Sequence, residues 1–95
     1  MKAITVVKKF CKENNLDLES GGGFRTAKDW GKRGEKYGIM SKGIIMHDGG
    51  DLAPYLNYAY ERPELMEEFT KYLNEHGYWN EQCTGWYTAI YKLDS

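Results

Sequence analysis

Apolar residues recur along this chain with two different periods, and the switches between them divide it into elements. Over residues 2–14, Ile4, Val7 and Cys11 fall on one side of a helical wheel. Ala3, Val6 and Phe10 widen that stripe and lysines fill the rest, the pattern of a helix with one buried face. Asn14 and Asn15 mark its stop. Leu16 and Leu18 then alternate with Asp17 and Glu19, which predicts a short strand buried on one side. A triglycine follows, and Thr26 is placed to cap a helix reaching Tyr37, with Asp29 in its first turn. Gly31 and Gly34 each cost that helix about 1 kcal/mol relative to alanine. Either it packs closely on another backbone or it is only partly formed.

The run Gly43–His47 reads as an apolar strand closed by the turn residues Asp48 and Gly49. Asp51 is placed to cap a helix from Leu52 to Tyr60, where Pro54 is tolerated because first-turn amides have no intrahelical acceptor. Pro63 starts another helical run, with Leu65, Phe69, Tyr72, Leu73 and His76 in one stripe and Gly77 as its stop. The remainder predicts a hairpin whose Thr84-Gly85 connection pairs Cys83 with Trp86. In that register Trp79, Glu81, Cys83, Trp86, Thr88 and Ile90 share the more core-like face, with Glu81 out of place. Tyr78, Asn80, Gln82, Tyr87, Ala89, Tyr91 and Leu93 share a wetter face of tyrosines and amides. A slip of one residue keeps the alternation and exchanges the partners.

Strands separated by helices favour parallel crossovers, and the final hairpin is antiparallel. The expected fold is therefore a two-layer α/β (α+β) sandwich. It has one mixed sheet of about four strands with a C-terminal antiparallel hairpin, packed by three helices, in a single domain over residues 1–95.

Composition narrows the function classes. Ninety-five residues allow one modest core. Hydrophobic residues at 41% and aromatics at 15% exclude general disorder. A formal charge of −1 excludes a strongly basic nucleic-acid binder and an extreme acidic mimic of DNA. Charge is nonetheless segregated: Lys2, Lys8, Lys9 and Lys12 lie in the first helix, Glu64, Glu67, Glu68 and Glu75 in the last. Cys11 and Cys83 lack the clustered spacing of a zinc site, and no segment approaches the roughly 20 apolar residues of a membrane span. The expectation is a reduced, cytoplasmic protein with no metal and no cofactor.

Two loops carry the candidate chemistry. A glycine-rich strand-to-helix turn at Ser20, Gly21, Gly22 and Gly23 can aim amides at an anion, with Arg25, Thr26 and Lys28 as further donors. The run matches neither the Walker pattern nor the dinucleotide-binding spacing, and a slack surface loop is the competing reading. His47 and Asp48 end the next strand; were the two strands parallel neighbours, both loops would open at one sheet edge, where ligands of open α/β sheets bind. Ordinary turn chemistry explains the same residues. Trp86 and Tyr87 are aromatic candidates to complete a pocket, and the tyrosine-rich segment around Tyr58 is a candidate homo-oligomer surface. No nucleophile elbow or paired metal ligands stand in the sequence, so catalysis, by His47 and Asp48, ranks below binding.

With "SGGGFRTAKDW", "HDGGDLAPYLNY" and an aromatic tail in a short α/β frame, the chain resembles the small orphan proteins of bacteriophages and prophages. That resemblance implies a non-catalytic stoichiometric binder that counters a host defence. It would sequester a phosphate-bearing, nucleotide-like ligand or, alternatively, bind a host defence protein directly in the manner of an anti-CRISPR.

Overall fold

The lysine-flanked stripe forms helix α1, Ala3–Glu13, which buries Val6, Val7, Phe10 and Cys11 and leaves its lysines in solvent. The computed structural model describes residues 1–93. After a 3-10 turn, Leu18–Gly21, come strand β1 (Gly22–Arg25), helix α2 (Ala27–Lys32) and strand β2 (Gly43–His47). Helix α3 (Ala53–Leu56), a 3-10 turn at Tyr58–Tyr60 and helix α4 (Pro63–Glu75) lead to strands β3 (Tyr78–Gln82) and β4 (Tyr87–Lys92).

The four strands make one sheet in the order β1-β2-β4-β3, and every neighbouring pair is antiparallel. The α+β sandwich and the C-terminal hairpin are as expected; the parallel component is not. The residues 26–42 between β1 and β2 are numerous enough for a parallel crossover, but such a crossover is usually carried by a helix that runs the length of the sheet. Helix α2 has six residues, about 9 Å at 1.5 Å per residue, and ends before Gly34, whose φ of +87° breaks the helix. The strand expected at Leu16–Glu19 also moves. Asp17 caps the 3-10 turn by accepting the Glu19 amide, and the glycines themselves begin β1.

On the inner face of the sheet, α1, α3 and α4 enclose Ile45 and Ile90. Phe10 sits at the centre, edge-on to Tyr55, Phe69 and Tyr72 with ring centroids 5.4, 4.9 and 5.1 Å away. Each such pair adds about 0.5–1.5 kcal/mol beyond the area it buries. The outer face carries a smaller cluster, in which Trp30 of α2 covers Ile44, Met46, Tyr87 and Ala89. Two further expectations are corrected. The helix predicted from Leu52 to Tyr60 stops at Leu56, with Asn57 accepting the Ala59 amide to cap the following turn. The hairpin pairs Gln82 with Thr88, one residue out of the expected register, because the Cys83 and Thr84 amides both donate to Tyr87 O around a longer loop. The slip puts Tyr78, Asn80 and Gln82 on the helix side with Thr88 and Ile90. It also turns Glu81 out to solvent.

Candidate functional site

The antiparallel pairing of β1 and β2 brings part of the expected site together and parts the rest. Gly22 lies opposite His47, and the Asp48 amide donates to Gly21 O at 3.2 Å, so Ser20–Gly22, His47 and Asp48 share one end of the sheet. Trp86 joins them through its carbonyl, which accepts the His47 amide at 2.9 Å. Arg25 lies opposite Ile44 at the other end of β1. Arg25, Thr26 and Lys28 are all exposed there, and the Thr26 hydroxyl accepts the Asp29 amide as the cap of α2.

Where the loops meet, they are closed onto each other. An added Cβ on Gly50 would stand 2.5 Å from Gly21 Cα, and one on Gly21 would stand 2.7 Å from His47 Cα. The Ser20 hydroxyl donates to Asp17 O and accepts the Asp51 amide; the Asp51 carboxylate, expected to cap α3, accepts the Asp17 amide at 2.7 Å instead. Gly22 N–H donates to Glu19 O. In this structure the glycines allow two backbones to approach.

His47 is 1% exposed. Its Nε2 lies 3.0 Å from Thr88 Oγ1, and Nδ1 is buried without a hydrogen-bond partner. The cheapest tautomer carries the proton on Nε2 and donates to Thr88, since an unmet acceptor lone pair costs less than an unmet buried donor. Burial pushes the imidazole below its ordinary value of 6.5. It has no path to a substrate in this conformation. Tyr87 is buried too, 4.9 Å centroid to centroid from Trp30, and burial raises its phenol.

A wider concavity lies elsewhere. A groove of about 680 Å³ runs between the first half of α4 and strand β3, floored by Leu56, Met66 and Thr70 and flanked by Tyr58 and Trp79. Pro63, Met66 or Glu67, and Thr70 succeed one another at helical spacing, so one stripe of α4 forms a wall parallel to the strand. Thr70 Oγ1 donates to Asn80 Oδ1 at 2.9 Å, and Gln82 Oε1 accepts the Tyr58 amide at 3.1 Å. These bonds fix the wall and the strand relative to each other.

Three carboxylates, Glu61, Glu67 and Glu81, line this groove against one cation, Arg62, which is already paired with Glu64. A second, shallower cleft on the outer face joins Tyr37, Ile39 and Met40 to Glu81, Gln82 and Tyr91. Trp79 is 36% exposed, Tyr58 74%, Tyr37 60% and Met40 87%. The two clefts meet at Glu81 and Gln82. Five of the eight exposed large apolar side chains among the described residues therefore border β3.

Sequence reasoning places Asn80 and Gln82 on a wet hairpin face and Tyr58 in a contact segment, but it does not join them. Met66 and Thr70 carry no signal in the sequence, because the stripe they form matters only opposite β3. Among the described residues no three His, Cys, Asp or Glu side chains are grouped to hold a metal ion, and no helix is long and apolar enough to cross a membrane. Compared with protein-family models, with curated proteins and with solved structures, the chain finds no match in any of the three.

Proposed function

We propose that this protein is a non-catalytic, stoichiometric binder whose ligand is another polypeptide, held against β3 between α4 and the Tyr37–Met40 segment. The observation that carries the reading is the gathering of exposed Tyr58, Trp79, Tyr37, Ile39 and Met40 around two clefts that meet at one strand. Tyrosine and tryptophan contribute large contact area at low entropic cost and dominate protein interfaces. Contiguous exposed apolar surface on a chain this small marks a contact site. An inhibitor acting directly on a host defence protein, as the phage resemblance implies, would use such a surface.

The competing reading sequesters a phosphate-bearing nucleotide at Ser20–Gly23 with Arg25 and Lys28. It is supported by the meeting of the triglycine with His47 and Asp48, but those loops abut directly. Three forms of the protein decide between the readings as baits in a host lysate: wild type, Met66→Glu in the groove, and the pair Arg25→Glu, Lys28→Glu. A partner retained by wild type and by the arginine–lysine variant, and lost with Met66→Glu at unchanged melting temperature, is the expected result. Loss with the arginine–lysine variant instead, or a melting temperature raised by a panel of nucleotides, would overturn it.

A further inference from the structure

The sheet has two edges, and the chain treats them differently. At β1 two of the four outward backbone groups are taken up: Gly22 N–H donates to Glu19 O, and Phe24 O accepts the Arg25 guanidinium at 2.9 Å. At β3 none is. The Cys83 amide donates to Tyr87 O and the Leu93 amide to Gly77 O. With Gln82 opposite Thr88, the alternation of an antiparallel ladder turns Trp79 and Glu81 toward β4 and Tyr78, Asn80 and Gln82 toward the open edge. Those three residues' N–H and C=O groups have no protein partner among the described residues. Natural proteins blunt such edges with proline, bulges or a covering segment; β3 has none of these and carries one charge, Glu81.

We infer that β3 is a receptor strand: the polypeptide held there adds as a fifth, extended strand, and its chemistry is basic, with lysine or arginine on alternating positions. The inference rests on the polypeptide-binding reading and specifies its occupant. Main-chain pairing supplies affinity in strand addition, and the pockets on either face select alternate side chains. Here the inner-face side chains of the added strand would meet Met66 and Thr70 of α4, and the outer-face ones would meet Trp79 and the Tyr37–Met40 segment. The paired span is short, about 17 Å for the five residues of β3. Glu61, Glu67 and Glu81 set the sign of the occupant's charge, because Arg62 is engaged by Glu64 and the three carboxylates outnumber Lys36, the one cation lining the outer cleft. The same carboxylates count against a second copy of this chain. Pairing β3 with itself would bring the groove carboxylates Glu61, Glu67 and Glu81 of two molecules toward one another.

Short random peptides displayed on phage, selected against immobilised wild-type protein with Met66→Glu protein as counter-selection, provide the probe. Trp79→Ala serves as the counter-selecting protein if Met66→Glu does not fold. Enriched sequences are expected to alternate Lys or Arg with apolar residues. Their synthetic peptides are expected to protect the amides of Tyr78, Asn80 and Gln82 from hydrogen exchange, leaving those of Trp79 and Glu81 unchanged. Methylating the peptide nitrogens that face β3 should weaken binding roughly 2- to 10-fold for each bond removed, and Glu67→Lys with Glu81→Lys should weaken it further.

Peptides that compete for the groove without protecting those three amides, or that are acidic, overturn the added basic strand and leave the polypeptide-binding reading standing. No enrichment over the counter-selected protein overturns both. Protection of the same amides by concentration alone, with dimers in sedimentation, would make the occupant a second copy and overturn the basic partner.

Discussion

Gly50→Ala tests whether the two glycine loops are a packing seam. The new Cβ would lie 2.5 Å from Gly21 Cα, where ordinary contact begins near 3.4 Å, and closer still to the Gly21 nitrogen. Backbone cannot rotate aside as a side chain can, so one turn must retreat by about 1 Å. Three hydrogen bonds hold the turns together and would stretch with it: Asp48 N to Gly21 O at 3.2 Å, Asp17 N to Asp51 Oδ2 at 2.7 Å and Asp51 N to Ser20 Oγ at 2.8 Å. Each contributes about 0.5–1.5 kcal/mol net, and overpacking alone costs about 1–3 kcal/mol. Partial relaxation puts the loss at roughly 2–4 kcal/mol, a large share of the about 5–14 kcal/mol expected of a chain this long.

Two other glycines calibrate the measurement. Gly49→Ala meets no atom within 4 Å but holds φ at +73°, so it should lose about 1–2 kcal/mol to left-handed strain. Gly85→Ala meets nothing and has no such φ; it should be neutral or gain a few tenths of a kcal/mol from the stiffer unfolded chain. Urea unfolding followed by tryptophan fluorescence ranks the three. Gly50→Ala with a midpoint matching that of Gly85→Ala would refute the seam and reopen the triglycine as an unfilled cradle.

Burial lowers the His47 imidazole below 6.5 in the folded protein, so the unfolded chain binds the proton first on acidification. Stability is then full above about pH 6.5 and falls as pH drops through the folded value; urea midpoints across that range should show the step in wild type and lose it in His47→Gln. Cys11 is 4% exposed, with its thiol pushed up to about 11, first by burial and then by Asp17 and Asp51. Iodoacetamide followed by mass spectrometry should label it only in denaturant, and native labelling at the rate of a free thiol would contradict the packing of α1. Phe10→Ala removes the ring around which Tyr55, Phe69 and Tyr72 are arranged and should cost about 3–5 kcal/mol, read by circular dichroism as a melting temperature lowered by about 12–40 °C.

Elements with strong local signals were readable from sequence. The α1 stripe, the Gly43–His47 strand and the Pro63 start of α4 stand where periodicity and proline chemistry place them. Where glycine dominates, the reading fails for a physical reason. Gly22 and Gly23 disfavour a strand by propensity, yet they form β1 by pairing with His47 and Met46 at φ of +123° and +87°, and that pairing is a tertiary fact. The hairpin register shows the complementary limit. Both registers keep apolar alternation, and the choice falls to loop hydrogen bonds at Cys83, Thr84 and Gln82. Glu81 alone signalled the slip, as a charge on a face otherwise fit for burial. The groove was least legible, because its walls come from two separate elements, α4 and β3, and its value as a site depends on an edge that only the strand order reveals.

That strand order governs how the chain can be assembled on a ribosome. Strand β4 is the last of the four to be synthesised, yet it lies between β2 and β3 and is the neighbour of both. Until residues 87–92 leave the exit tunnel, β3 has no strand beside it and Ile45 lacks Ile90 beside it under the helices. Of the sheet, the nascent chain can form only the β1–β2 pair, which is marginal in isolation. Completion of the sheet is thereby deferred to a single late event, and a ribosome stalled before Tyr87 holds a chain in which Trp30 lacks Tyr87 and Ala89 to pack on.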